Sequence, residues 1–226
     1  MIAGVVAGGR PVSVTPPSVT DPHWADVMLL INWESGYSDL SSNAYPTTPG
    51  AYALLDTTTK KFGAASVGCS DYSRWDVLTA ASTPAALLTG DYTIEWWLYI
   101  SYRGDGSFPY RSNFNHAIGI DAAGTLSVEV VSSDYPYSNI GFNHQTVIPL
   151  NTWTHIAVVK SANVIRSYVN GVRSTASTAE TDVRNHIAGT IIALPGSMRV
   201  DDYRITKGVA RYSGDFTPPS EAFPTS

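Results

Sequence analysis

The sequence predicts an all-β protein, a two-sheet antiparallel β-sandwich with an extended N-terminal arm. Three observations carry this. Turn and strand formers are abundant, with Gly 18, Pro 14 and Tyr 13. Lysine, a usual surface residue of helices, occurs only at Lys60, Lys61, Lys160 and Lys207. Apolar residues recur with period two in short runs between turn signals.

Residues 1–22 form their own compositional zone. Small apolar residues and Gly lead into Pro11, Pro16, Pro17 and Pro22, which restrict the backbone and remove donors. The arm carries Ile2, Val5 and Val6 without a charge before Arg10. Those three are the candidate anchor to a partner, whose sheet edge an extended segment can join.

The sandwich is assigned to residues 23–226. Val27–Ile31 is a short apolar run that suits a buried strand. Asp39–Asn43, Pro46 and Pro49-Gly50 mark a loop, and Ala51–Leu55 and Ser66–Cys69 are weaker strands. The clearest alternation is Tyr92–Ile100. Tyr92, Ile94, Trp96, Leu98 and Ile100 share one face, while Thr93, Glu95, Trp97 and Tyr99 share the other, which reads as partly solvated. Leu126–Val130 and Trp153–Lys160 are further strands. Val164–Val169, Asn170-Gly171 and Val172–Thr175 read as a hairpin, because Asn-Gly tolerates the positive φ of a type I′ turn. As an ordinary exposed turn it identifies a hairpin, not a binding site. Met198–Ile205 is the last strand, and no fixed-period repeat supports a propeller or solenoid.

The composition excludes several classes. With 43% hydrophobic and 15% charged residues the chain is not disordered. A net charge of -5 without a basic block argues against nucleic acid as partner. No stretch reaches the roughly 18 apolar residues of a membrane helix, and the first residues make a poor signal peptide. A single cysteine, Cys69, excludes an internal disulfide framework, and no Asn-x-Ser/Thr sequon is present.

Several segments resemble one family. Lys61–Ser66, Gly90–Trp97, Asn151–Lys160, Tyr168–Val172 and Asp201–Tyr212 followed by Phe216–Pro219 are similar, in this order, to concanavalin A-like, laminin-G-like jelly rolls. The resemblance spans roughly residues 26–224 and implies two face-to-face antiparallel sheets. Its closing text, Lys207–Tyr212 and Phe216–Pro219, is most familiar from bacteriophage virion proteins. It implies a non-enzymatic virion component that decorates a head, collar or tail, with other virion proteins and further copies of the chain as partners. The alternative is a glycan-binding host adhesin, and a polysaccharide hydrolase stands third.

The candidate chemistry follows from these alternatives. Hydrolysis needs paired carboxylates, whereas Glu34, Glu95, Glu129, Glu180 and Glu221 read as isolated, and Asp201 and Asp202 as pointing opposite ways. His155 reads as a packed sheet histidine. No cofactor is expected. The resemblance implies calcium as the one candidate ion, with Asp39, Asp201 and Asp202 as ligands. Against this, Asp39 would cap a turn, and Asp201 or Asp202 would pair with Arg199 or Arg204. Two aromatic loops supply the candidate carbohydrate or partner contacts: Tyr102, Phe108, Tyr110 and Phe114, then Tyr135 and Tyr137.

Overall fold

A computed structural model of the chain describes residues 20–70, 76–80, 90–103, 108–111, 116–131, 139–179, 190–194 and 196–226. After a one-turn 3-10 helix at Trp24–Asp26 come the strands β1 (Val27–Ile31), β2 (Thr48–Pro49), β3 (Ala53–Asp56), β4 (Ser66–Cys69), β5 (Asp76–Ala80) and β6 (Tyr92–Ile100). Next are β7 (Phe108–Arg111), β8 (His116–Ile120), β9 (Thr125–Val131), β10 (Asn139–Val147), β11 (Thr154–Ser161) and β12 (Val164–Val169). The chain closes with β13 (Val172–Arg173), β14 (Thr178–Ala179), β15 (Thr190–Ala193) and β16 (Met198–Lys207).

One layer is a 9-stranded sheet with the order β13-β12-β11-β6-β16-β4-β3, in which β1 also pairs with β16 and β14 with β12. The other comprises a 4-stranded sheet, β10-β9-β8-β7, and a 3-stranded sheet, β15-β5-β2, with β15 lying beside β7. Every pairing is antiparallel. Between the layers lies the core. Ile94, Trp96, Leu98 and Ile100 from β6 and Val200, Tyr203 and Ile205 from β16 meet Ile118, Ile120, Leu126, Val128 and Ile192 from the opposing sheets. The expected sandwich is thus observed, and the inward half of the Tyr92–Ile100 alternation forms its centre.

The β16 strand has two neighbours along one edge. Arg199 and Val200 pair with β4, whereas residues from Tyr203 to Thr206 pair with β1. At the fork the register against β6 slips: Asp201 faces Trp97, but Arg204 faces Glu95. Asp202 takes φ 47, the left-handed conformation that lets a bulge turn the strand. The slip overturns the opposite-facing reading of the two aspartates. Asp201 receives N–H groups from the loop before β4 and Asp202 receives one from the C-terminal segment, and both segments lie over the same outer face.

Candidate functional site

The outer face of the large sheet can be followed in rows across the strands. Its central rows carry Asp201, Trp97 and His155, then Arg204, Glu95, Ala157 and Tyr168, then Thr206, Thr93 and Val159. This face was expected to be partly solvated. Instead Thr93, Glu95, His155, Asp201 and Thr206 are all 0% exposed. The reason is a cover made from the Lys61–Phe62 loop, which lies over Asp201 and Trp97, and from both ends of the described chain. Thr20–Asp26 lies on one side, and residues 208–226 run back across the sheet. Asp21 N–H donates to the Ser226 carbonyl at 2.8 Å, so the two segments join there. Thr20–Pro22, assigned to the arm from sequence, lie within this described cover, and Asp21 is buried in it.

The cover is fastened by a charge-balanced network. Arg204 Nε and Nη2 donate to Glu95 Oε1 at 3.1 and 2.8 Å, and its Nη1 donates to Asp21 Oδ2 at 2.8 Å. Arg211 Nη1 and Nη2 donate to the two Asp21 oxygens at 3.0 and 2.8 Å. The Tyr212 hydroxyl donates to Glu95 Oε2 at 2.7 Å, and His155 Nε2 stands 3.4 Å from the same oxygen. Two carboxylates thus meet two guanidiniums, which is the condition under which buried charge is tolerated. Burial alone would raise the Glu95 pKa, but the Arg204 charge and the neighbouring His155 and Tyr212 hold it well below the carboxylate range. The Tyr212 hydroxyl is pushed up by burial and by Glu95.

Aromatic contacts complete the cover. Tyr212 and Phe216 stack with centroids 3.5 Å apart, Phe216 and Phe223 pack edge-on to His155, and Arg204 lies 3.9 Å over the Phe223 ring. The Asn170-Gly171 turn has the expected type I′ geometry, with φ 48 and 77. It is not simply exposed, however. Gly171 is buried, its carbonyl accepts from Phe216 N–H at 3.0 Å, and a Cβ there would stand 1.8 Å from the Phe216 oxygen.

The calcium candidates do not converge. Asp39 accepts four hydrogen bonds, from the N–H groups of Leu30, Ser41 and Tyr45 and from the Ser41 hydroxyl. It therefore caps its turn. Asp201 accepts from the N–H groups of Lys61, Phe62 and Asp202, and Asp202 accepts from Phe223 N–H at 2.8 Å. Neither aspartate pairs with the arginines expected for it. Arg199 Nε donates to Asp56 at 2.8 Å, and Arg204 belongs to Glu95 and Asp21. Among the described residues no cluster of His, Cys, Asp and Glu suits a metal ion.

The reading of the glutamates as isolated overlooks two pairs at strand spacing, Asp91 with Glu95 and Glu180 with Asp182. The second pair lies outside the described residues. In the first, Asp91 accepts from Ala162 N–H at 3.0 Å while Glu95 is sealed under the cover, so no pair of carboxylates opens to solvent there. A cleft of about 480 Å³ does open between the two covering segments, beside Asp21, Arg204, Arg211 and Phe223. Of its charged groups, Asp21, Arg204 and Arg211 are held in the network just described.

Beyond the cover, the side chains of the same face are exposed or partly exposed among the described residues. One row runs from Leu54 on β3 through Gly68 and Arg199 to Tyr99 and the residue before β11, Trp153. Tyr99 and Trp153 are both partly exposed, with ring centroids 5.5 Å apart, and the Tyr99 hydroxyl donates to Asn151 Oδ1 at 3.3 Å. Arg199 lies across Gly68, where a Cβ would meet its side chain at 2.6 Å. Further out come Tyr52, Ser70 and Ser101, whose backbones are joined through Tyr52 to Ser70 and through Ser101 to Ser197.

Of the loop aromatics expected to bind, Tyr102 follows β6 at this end and is 61% exposed. Phe108 and Tyr110 fall on β7, whose side chains are not described, and Phe114, Tyr135 and Tyr137 lie outside the described residues, as do Ile2, Val5 and Val6. Sequence reasoning passed over Trp153 and Tyr99 because each was counted only as a strand residue. Their parity with Trp97 and His155 placed them on the outer face, but nothing in the text said where the cover would stop.

The concanavalin A-like lectin/glucanases superfamily matches residues 76–204, more than half of the chain, and the protein belongs to it. No curated protein matches the sequence. The fold is similar to the receptor-binding domain of botulinum neurotoxin type G, at 13% identity and TM-score 0.58 over 85% of this chain and 49% of that one. It is also similar to a cellulose-induced protein, at 15% identity and TM-score 0.53 over 83% and 100%. A third likeness is domain 4 of an extracellular arabinanase from Geobacillus stearothermophilus in complex with arabinotriose, at 16% identity and TM-score 0.53 over 81% and 93%. The chain spans about half of the neurotoxin domain, 49%. At these identities the likeness is one of fold. The protein is a lectin-like β-sandwich.

Proposed function

We propose that the protein is a non-catalytic, glycan-binding sandwich displayed on a bacteriophage particle and held there by its N-terminal residues. One observation carries the glycan reading. On a single sheet face the central carboxylates are sealed, Glu95 by an arginine and Asp201 by backbone N–H groups, while aromatic side chains stand partly exposed beside them. Sugars are held by rings under their apolar faces and by a few placed polar groups, without a need for ionised carboxylates. The arabinotriose-bound and receptor-binding neighbours lend support, since they put the same fold to binding. The virion reading rests on the closing text, Lys207–Tyr212 and Phe216–Pro219, and these residues form the cover over the sheet.

A glycan array probed with the sandwich tests the binding role, and reducing-end release from host polysaccharide tests hydrolysis. Deletion of residues 1–22 would remove Asp21 as well, so the anchor is tested by deleting residues 1–19. The shortened protein is expected to keep its melting temperature and to be lost from virions. Normal incorporation of that protein would refute the anchor.

A further inference from the structure

We propose that the uncovered end of the large sheet's outer face is a platform for a neutral oligosaccharide lying across the strands, with Tyr99 and Trp153 as its stacking floor. The proposal rests on the glycan-binding reading above and assigns that reading a site and a ligand class.

Exposure is the first argument. Tyr52 is 39%, Leu54 38%, Tyr102 61% and Leu150 38% exposed, and all four lie at this end of the sheet or on the loops that close it. The placement follows from register. Thr154 faces Leu98, so Trp153 faces Tyr99 and the preceding loop continues alongside Ile100, whose carbonyl accepts from Asn151 N–H at 2.7 Å. Rows nearer the centre are closed by Phe62 and Lys61 over Trp97 and by the C-terminal segment.

Shape is the second. The row Leu54, Gly68, Arg199, Tyr99 and Trp153 crosses β3, β4, β16, β6 and the start of β11. At roughly 4.8 Å per strand this is about 19 Å, an elongated face that suits a chain of several sugars better than one. Gly68 keeps the middle low, and the Arg199 stem lies flat over it.

Charge is the third, and it selects among glycans. Among the described residues the row's own cation is compensated, and Lys61 on its inner border is seated over the Trp97 ring. Arg199 Nε donates to Asp56 Oδ2 at 2.8 Å, and its Nη1 donates to the carbonyls of Gly196 and Met198. Asp56 also accepts from Thr58 and Thr59 N–H groups. No uncompensated cation is left in the row for a carboxylate or sulfate. The remaining polar groups are neutral: the Ser70 and Ser101 hydroxyls donate to the carbonyls of Tyr52 and Ser197, which leaves their oxygens to accept from sugar hydroxyls, and the Asn151 side-chain NH2 can donate.

The test uses the full chain on an array of neutral hexose oligosaccharides and their uronate and sialylated counterparts. Hits are then titrated by tryptophan fluorescence. Neutral glycans are expected to bind with little change between low and high salt, as uncharged contacts require, and to perturb Trp153. Trp153→Ala should weaken binding at least tenfold. Leu54→Arg, on an exposed edge position away from the core, should do the same with the melting temperature unchanged. If the wild-type chain binds no glycan, the reading and its site fail together. Equal binding by folded Trp153→Ala and Leu54→Arg proteins overturns the site alone. Salt-sensitive binding restricted to acidic glycans overturns the ligand class.

Discussion

Glu95 and Tyr99 stand on one strand, on one face and four residues apart, yet their surroundings differ in kind. Glu95 has no contact with water and is held by Arg204 and Tyr212. Tyr99 is half open and leans on Trp153. The strand did not impose that difference. It came from residues far away in sequence, Asp21 and the stretch from Arg211 to Phe223, which cross the middle rows and stop short of the end. A sheet face therefore acquires its role from what covers it. Under a cover, polar residues become fasteners, and beyond it rings stay open to solvent.

The largest expected effect comes from breaking the covered side. Glu95→Ala leaves Arg204 and the Tyr212 hydroxyl facing an empty acceptor in a dry site. Losing one partner of such a pair costs about 3–5 kcal/mol, and urea denaturation should show it. Tyr99→Ala should cost roughly 1 kcal/mol or less, as a half-exposed position predicts. Equal losses would mean that the centre of the face is wet.

Gly171→Val comes next, with an expected loss of about 2–4 kcal/mol. Two causes combine: φ 77 disfavours a β-branched residue, and its Cβ would collide with the Phe216 carbonyl. Asn tolerates the left-handed region, so Gly171→Asn separates the causes. If only turn geometry mattered, Asn would restore stability. We expect it to fail, and hydrogen exchange at residues 212–226 should rise in both variants as the cover loosens. Protection there equal to wild type in the Asn variant would show that the cover does not depend on this close approach.

The covered side should also set the pH profile. Burial pushes Asp201 up to about 6 and Asp202 up to about 7, against roughly 3.9 for a free aspartate. Folding therefore takes up protons in this interval. The stability concerned is full below about pH 4 and is lost as pH rises toward about 7. Glu95 and Asp21 act with the opposite sign. Burial works to raise both, but their arginine partners lower them, so their contribution is present above about pH 4 and disappears on further acidification. Thermal melts from about pH 3 to about pH 8 should peak on the acid side of neutrality, near about pH 4–5. Asp202→Asn should remove much of the decline toward neutral pH. An unchanged slope in that variant would place the proton elsewhere.

The sequence carried a good part of the sandwich and little of the face. Val27–Ile31, Tyr92–Ile100 and the Asn170-Gly171 turn are local signals, and each stands where the alternation or the turn chemistry put it. Strands such as β8, β10 and β15 were not identified, because their pairing decides them more than their own pattern does. The polar half of β6 was misread for a physical reason. Period two reports that two faces differ, and a row with Glu95 and Thr93 looks the same whether it meets water or Arg204. The fork at Asp201-Asp202 was also hidden, since a bulge changes the facing of side chains without changing the residues.

The finest comparison deletes one hydroxyl from each region. Tyr212→Phe and Tyr99→Phe make the same chemical change. In the first, the lost group donates to Glu95 Oε2 at 2.7 Å and is surrounded by Phe216, Tyr168 and His155. Glu95 then keeps its charge with one donor fewer in a site that water does not enter. A cost of about 1–3 kcal/mol follows from an unmade buried bond to a charged group. In the second, the hydroxyl donates to Asn151 Oδ1 at 3.3 Å in an exposed setting, and water can replace it on both sides. Its loss should change stability by no more than about 0.5 kcal/mol. Because Phe keeps the ring, Tyr99→Phe should also keep most of the stacking on the platform, and sugar affinity should fall by less than in Trp153→Ala. If the two Tyr→Phe variants melt alike, covered and bare regions do not differ in solvent access, and the contrast between Glu95 and Tyr99 must come from packing alone.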